Sequence, residues 1–187
     1  MKKENINLSE HLTSSSVAAL GNSSKLGCTR LTPHFTLAEL TQTKTGIENV
    51  PNEEQVENLK RVCGWLEQLR LRYNQMRNEK GEMRNGNEEM RNEVGEYPII
   101  INSGFRSPEV NKAVGGWAQS NHLTGCAVDI RCIGIEQAIR YATLLLDISD
   151  LNKEDFDELI IERKGYSYWI HFAVRPFGNR KRTNYKR

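Results

Sequence analysis

The pair His122 and Asp129 has the residue types and the spacing best suited to chemistry in this chain. Both lie in the pattern Ser-x-His-x-x-Gly-x-Ala-x-Asp, which begins at Ser120. A neutral imidazole and a carboxylate are both good ligands of Zn²⁺. Gly125 lies between them and allows the backbone to turn tightly. The pattern therefore predicts that the two side chains can reach one metal ion.

A further metal ligand is needed, and His171 is the candidate for it. It is the other histidine in a well-patterned segment, because YWIHFAV reads as a strand. Two ligands close together and a third from a distant strand leave a fourth coordination position open for water. That arrangement is typical of catalytic zinc sites rather than structural ones.

Short sequence segments on both sides extend the motif. SGFRSPEVN and AVGG precede it, and Trp-x-His follows it. In these segments the chain resembles the zinc D-alanyl-D-alanine carboxypeptidases, whose fold is shared with the hedgehog signalling domain. The resemblance is to the short phage- and bacteria-type members. It runs from about residue 35 to about residue 174, with an interruption near residues 74–96.

The resemblance implies Zn²⁺ as the cofactor and a role for each matching residue. His122, Asp129 and His171 would be the zinc ligands. Arg106 would hold a carboxylate of the peptide substrate, since a guanidinium can grip a carboxylate in a bidentate manner. The implied substrate is the stem peptide of peptidoglycan, cleaved by a carboxypeptidase or by an endopeptidase of the cell-wall hydrolase or endolysin type.

A zinc peptidase also needs a carboxylate that accepts the proton of the attacking water and passes it to the leaving amine. FDELIIE and YWIHFAV are expected to form a hairpin across RKGYS. Alternation along both strands places Glu162 on the same face as His171. Some relatives carry a glutamate three residues before the last histidine, but that position is Tyr168 here. We therefore predict Glu162 as the catalytic base, with Glu158 as the nearest alternative.

Other roles remain open for several of these residues. Glu162 could instead form a surface ion pair with Arg163 or Lys164. Ser120 either hydrogen-bonds the substrate or fixes its own loop. Trp169 is expected to form a wall of the cleft.

The elements that must position these residues predict an α+β fold. Apolar residues recur at steps of three and four in the helical segments and alternate in the strands. The predicted helices lie at residues 35–43, 51–73, 109–114 and 136–147, and the predicted strands at 97–102, 127–131, 156–162 and 168–174. We expect a small antiparallel sheet with helices packed on one face, of the hedgehog and D,D-peptidase type.

Three regions are predicted along the chain: a flexible leader at 1–30, a zinc peptidase-like domain at 31–175, and a basic tail at 176–187. Three tandem units that begin with MRN occupy residues 76–96. A coiled-coil seam needs two apolar positions per heptad, and each unit offers one methionine. The segment 74–96 is therefore interpreted as a polar insertion, or as a frayed extension of the preceding helix.

Composition excludes some classes of partner. The net charge of +2 gives only a weak overall field, so a nucleic-acid partner is not expected. No apolar run reaches the length of a signal peptide or a membrane span. The protein is thus expected to start in the cytoplasm and to reach a cell wall by lysis or by non-standard export.

Two other functions fit the same residues. The first is a non-catalytic, zinc-containing module that binds cell walls or forms part of a phage-type structure. The second is a cytoplasmic peptidase that acts on D-amino dipeptides.

Overall fold

The computed structural model describes residues 29–84 and 96–186. The predicted leader thus lies almost wholly outside the described residues, and so does much of the predicted insertion. In the described part, the helices are α1 (Leu37–Thr41), α2 (Glu53–Arg84), α3 (Pro108–Ala113) and α4 (Gly134–Asn152), with a short 3₁₀ helix at Asn121–Thr124. The strands are β1 (Ile101–Ser103), β2 (Ala127–Cys132), β3 (Glu158–Lys164), β4 (Ser167–Ala173) and β5 (Arg182–Lys186).

The five strands form one sheet in the order β1-β2-β4-β3-β5. Each neighbouring pair is antiparallel except β3 and β5, which are parallel. The predicted α+β class is confirmed, but the sheet is mixed rather than wholly antiparallel. The difference comes from residues 182–186, which lie in the predicted basic tail and pair with β3 as an edge strand.

One face of the sheet packs against α2 and α4, and this face holds the hydrophobic core. The helix α2 contributes a buried stripe at the predicted spacing: Leu59, Val62, Cys63, Leu66, Leu69 and Tyr73. The strands contribute the alternate residues Val128, Ile130, Leu159, Ile170 and Phe172. Because side chains alternate along a strand, the residues between these project from the opposite face of the sheet.

Helix α2 begins where the sequence places its cap. The side chain of Asn52 accepts a hydrogen bond from the backbone N–H of Gln55 at 2.9 Å, and the Gln55 side chain accepts one from the N–H of Asn52 at 2.7 Å. The helix continues well past residue 73, to Arg84. Methionine, arginine, glutamate and lysine all favour helix, so the first MRN unit extends it. Arg77 also stacks over the ring of Tyr97, 3.4 Å from its centroid.

Strand β1 is shorter than predicted and serves mainly to present the loop that follows it. Only Ile101 and Ser103 pair with β2, with an irregularity between them. Behind the loop, the N–H of Phe105 donates to the carbonyl of Leu40 at 2.7 Å. Gly104 is required there, because a Cβ would lie 2.3 Å from that same carbonyl oxygen. No helix in the described residues is long and apolar enough to cross a membrane.

Candidate metal centre

The loop that carries His122 is built around its cap and its glycine. The Ser120 hydroxyl accepts a hydrogen bond from the N–H of His122 at 3.3 Å and caps the 3₁₀ helix. Gly125 ends that helix with a φ of 72°, which L side chains rarely adopt. A Cβ on Gly125 would also lie 2.5 Å from the carbonyl oxygen of Gln55 in α2. The tight glycine turn expected from the motif is therefore present, and Ser120 has a role in fixing the loop.

Asp129 and His171 come from neighbouring strands. They are direct partners in the register of β2 and β4. Directly opposed residues in an antiparallel pair have their side chains on the same face, with Cβ atoms about 5 Å apart. That face is opposite the hydrophobic core, so both side chains meet the loop of His122.

The three side chains converge on one point. The distance from His122 Nε2 to Asp129 Oδ1 is 3.2 Å, from His171 Nδ1 to Asp129 Oδ1 is 3.1 Å, and from His122 Nε2 to His171 Nδ1 is 3.2 Å. Tetrahedral zinc with bonds of about 2.0–2.1 Å has neighbouring ligand atoms about 3.3 Å apart. Among the described residues these three form a group that could hold a metal ion, and their spacing fits zinc.

The outer neighbours of the two histidines determine which ring nitrogens are free to bind a metal. His122 Nδ1 lies 2.6 Å from the carbonyl oxygen of Gly104. A carbonyl only accepts hydrogen bonds, so Nδ1 carries the hydrogen and Nε2 has the lone pair. His171 Nε2 lies 3.3 Å from a carboxylate oxygen of Glu158, so in the neutral ring a hydrogen on Nε2 leaves the lone pair on Nδ1. With both rings neutral, two lone pairs and the carboxylate of Asp129 face one another, an arrangement that a cation would stabilise.

The charges around this point change the protonation of its members. Burial by itself would raise the pKa of Asp129, but His122 and His171 hold it far below its usual range. Burial lowers the pKa of His171, whereas hydrogen bonds to Asp129 and Glu158 raise it, with a net result of about 9. Without a metal ion, these hydrogen bonds favour the protonated form of His171 at neutral pH. A metal ion that binds here must displace that proton.

The three side chains lie in a cleft of about 780 Å³ on the open face of the sheet. All seven site residues predicted from the sequence line it: Arg106, Ser120, His122, Asp129, Glu162, Trp169 and His171. The guanidinium of Arg106 donates to Ser103 Oγ at 2.8 Å and forms an ion pair with the second oxygen of Asp129. Arg106 therefore positions a carboxylate of the metal centre while it faces the cleft.

The two glutamates of β3 differ in their surroundings. Ile160 is the cross-strand partner of His171, and Glu158 and Glu162 lie two residues to either side of it. The hydrogen bond with His171 holds the pKa of Glu158 below its usual range. Glu162 has Lys186 as its ion-pair partner, with a long N–O distance of 3.5 Å. Glu158 thus contacts the Nε2 atom of His171, on the outer side of the ring. The carboxylate of Glu162 has the weaker contacts of the two.

A buried carboxylate that the sequence reading did not single out ties the site together. Asp157 has no exposed surface. It accepts hydrogen bonds from Asn121 at 2.8 Å and from Arg180 at 2.8 and 2.7 Å, and it pairs with Arg175. Since Asn121 precedes His122 directly, Asp157 links the loop of His122 to the C-terminal segment. An acid at the start of an apolar strand is the signal in the sequence that could have indicated it.

The basic residues of the C-terminal segment also line the cleft, as does Trp117, of which 74% is exposed. Arg180, Arg182 and Lys186 recur at even spacing, which is the period of a strand. This alternation could have indicated that they share one face.

Comparison with known protein families identifies the domain. A family model described as Peptidase M15 matches residues 75–172, just over half of the chain. The matched part includes β1, β2, β3, most of β4 and the three converging side chains, and it ends before β5. A search of curated proteins finds no match. On the extent of the family match, the chain belongs to the peptidase M15 family and carries a peptidase domain of the zinc D-alanyl-D-alanine carboxypeptidase-like type.

Proposed function

We propose that this protein is a zinc metallopeptidase that cleaves peptidoglycan stem peptides, either as a D,D-carboxypeptidase or as an endopeptidase. The observation that carries the proposal is the convergence of His122 Nε2, His171 Nδ1 and Asp129 Oδ1 within 3.1–3.2 Å of one another. His122, Asp129 and His171 would hold the ion. The chemistry that bound Zn²⁺ supplies is Lewis-acid activation of a water molecule and of the scissile carbonyl.

Glu162 moves the proton in this proposal. It lies on the cleft face of β3, next to Trp169 in the register of β3 and β4. Its carboxylate takes the proton of the attacking water and delivers it to the nitrogen of the leaving amine. Glu158 is less suited to this task because His171, Arg180 and Arg182 already bind it. Glu158 instead orients the imidazole of His171.

Arg106 binds and orients the substrate. A guanidinium has five N–H donors, and contacts to Ser103 and Asp129 use two of them among the described residues. The remaining donors can bind a terminal or side-chain carboxylate of the peptide. Trp169 forms a wall of the cleft beside the scissile bond, and Ser120 holds the loop of His122 in place.

The test combines metal content with peptide hydrolysis. The purified native chain, Glu162→Gln and the control Glu57→Gln, an exposed glutamate of α2, are loaded with zinc. Release of D-alanine from a D-Ala-D-Ala peptide and new amines from purified peptidoglycan are then measured. We expect one zinc per chain in all three, with kcat about 10²–10⁴ lower in Glu162→Gln alone.

Each other result points elsewhere. Zinc in every variant without cleavage by any of them would favour the wall-binding module. A native chain that retains no zinc would overturn the metal centre itself. Full activity of Glu162→Gln would move the proton transfer to another carboxylate.

A further inference from the structure

The cleft side of β5 carries a row of polar residues to which the proposed mechanism gives no contact with the substrate. In the register of β3 and β5, Arg182 is the partner of Glu158, Asn184 of Ile160 and Lys186 of Glu162. Residues paired in this way share a face, so all three β5 residues lie on the cleft side. About half of the Arg182 and Lys186 side chains is exposed. The row is thus accessible from the cleft.

The row lies at a defined distance from the metal centre. Asp129, His171, Ile160 and Asn184 follow one another across β2, β4, β3 and β5 as register partners. Neighbouring strands are about 4.8 Å apart, so β5 lies about 10 Å from β4. An extended peptide covers about 3.3–3.6 Å per residue. A peptide that crosses the strands from the metal centre therefore reaches β5 after two or three residues.

The direction of that peptide follows from Arg106. Arg106 lies in the loop after β1, at the other end of the strand order from β5. If Arg106 holds the carboxyl end of the substrate, the part on the amino side of the scissile bond must extend over Ile160 towards β5. Arg182 and Lys186 then flank its path.

The charge of the cleft favours an anionic group at this position. In the part of the chain that the structure describes, the lining contains four basic side chains and three acidic ones. A divalent ion would shift this balance further towards positive charge. Lys186 and Arg182 do face Glu162 and Glu158, at 3.5 and 3.3 Å. Both cations are about half exposed, so a substrate carboxylate can approach them from the solvent side while their contacts with Glu158 and Glu162 remain.

Hydrogen bonds to the segment before β3 fix the position of the row. Arg180 is bonded to the fully buried Asp157, and the backbone N–H groups of Lys181 and Arg182 donate to the carbonyls of Phe156 and Asp157. The family match ends at residue 172, so β5 is a feature of this chain outside the matched part.

We propose that Arg182 and Lys186 form a subsite for an anionic group, two or three residues to the amino side of the scissile bond. The proposal rests on the proposed peptidase function and on Arg106 as the anchor of the carboxyl end. It predicts that the enzyme prefers peptides with a carboxylate at that position over neutral peptides of the same shape.

The test uses two peptides that differ only in this charge: acetyl-Glu-Lys(acetyl)-D-Ala-D-Ala and its acetyl-Gln counterpart. The ratio of their kcat/KM values is measured for the native chain, for Arg182→Gln/Lys186→Gln, and for Lys60→Gln/Arg72→Gln. The last variant removes the same charge from α2, outside the cleft. Binding of both peptides is also measured by calorimetry in the zinc-loaded Glu162→Gln background.

We expect the native chain to favour the acidic peptide by about fivefold to twentyfold at low salt, from two exposed charge pairs. The ratio should fall close to one in the β5 variant and persist in the α2 control. Equal kcat/KM for both peptides, or a preference that survives in the β5 variant, would overturn the subsite while the peptidase function stands. If the native chain hydrolyses neither peptide while zinc-loaded Glu162→Gln binds the acidic one selectively, the peptidase function is overturned and the subsite is supported. If the native chain hydrolyses neither peptide and no selective binding is found, both proposals are overturned.

Discussion

Replacement of Glu158 tests whether its contact with His171 strengthens metal binding. Its carboxylate lies 3.3 Å from His171 Nε2, on the side of the ring away from the other ligands. Loss of such a partner typically weakens metal binding by about 10–100-fold. The contact here is longer than the roughly 2.7–2.9 Å of the strongest charge-assisted bonds, and two arginines share the carboxylate. We therefore expect Glu158→Ala to weaken zinc binding by about tenfold, which is about 1.4 kcal/mol.

The size of this loss should depend on pH. Glu158 helps to raise the pKa of His171 to about 9, so it stabilises both the metal-bound and the protonated forms of the imidazole. Below that pH, removal of Glu158 also weakens the competing proton, and the two effects partly cancel. Above it, the proton no longer competes and the full loss appears. The ratio of native to variant affinity should thus increase as the pH is raised from 7 to 9.5.

The assay is competition for zinc against a chromophoric chelator at both pH values. Glu162→Gln is the matched control, because it alters a glutamate on the same face of the same strand, beyond Ile160. Glu158→Gln keeps an acceptor oxygen and should fall between Glu158→Ala and the native chain. Native affinity in Glu158→Ala at pH 9.5, or a greater loss in Glu162→Gln than in Glu158→Ala, would refute the assignment of the two glutamates.

Three further predictions concern the scaffold of the site. Asp157→Asn should lower the free energy of unfolding in urea by about 1–3 kcal/mol, because it removes the charged acceptor of Arg175 and Arg180, whose side chains are a third to a half exposed. The pKa of Asp157 is lower in the folded chain, because its bonds with Arg180 and Asn121 outweigh the effect of its burial. The contribution of Asp157 to the free energy of unfolding is therefore present above the unfolded pKa of about 3.9. It should be lost from the native chain as the pH falls through the folded pKa. Gly125→Ala should lower Tm more than Gly165→Ala. Both glycines have positive φ, but only at Gly125 would an added Cβ lie 2.5 Å from a backbone atom. Equal shifts in Tm would exclude that steric contact. Burial raises the pKa of Cys63 and Cys132 to about 12, so both thiols should resist alkylation until the protein is unfolded, and rapid labelling of either in the native state would contradict their packing.

Local patterns in the sequence were sufficient to predict much of the frame of the site. Alternation in FDELIIE and YWIHFAV separated the core residues from Glu162 and His171, and the observed register agrees with that division. The glycine in the motif predicted the turn at Gly125. These predictions succeeded because they depend on the two-residue period of a strand and on the backbone freedom of glycine, which neighbouring residues are enough to indicate.

Other features depend on contacts between distant residues, and the sequence did not indicate them. Strand β5 is exposed along its length, so it has no apolar face to mark it as part of a sheet. The different surroundings of Glu158 and Glu162 could not be predicted either, because alternation places both on one face. Only the distance to His171 Nε2 separates them. Helix α2 extended beyond its apolar stripe because propensity alone can lengthen a helix that is already formed.

The direct pairing of Asp129 with His171 has a consequence for the order of events during folding. Those residues are far apart in the chain, and their donor atoms meet only after β2 and β4 have paired in the correct register. Non-local strand pairing is slow compared with the formation of helices and turns. The local segment from His122 to Asp129 contains only two of the three converging side chains. A complete set of three arises late, so tight metal capture would follow the assembly of the sheet rather than guide it, and the rate of metal uptake would report when β4 docks.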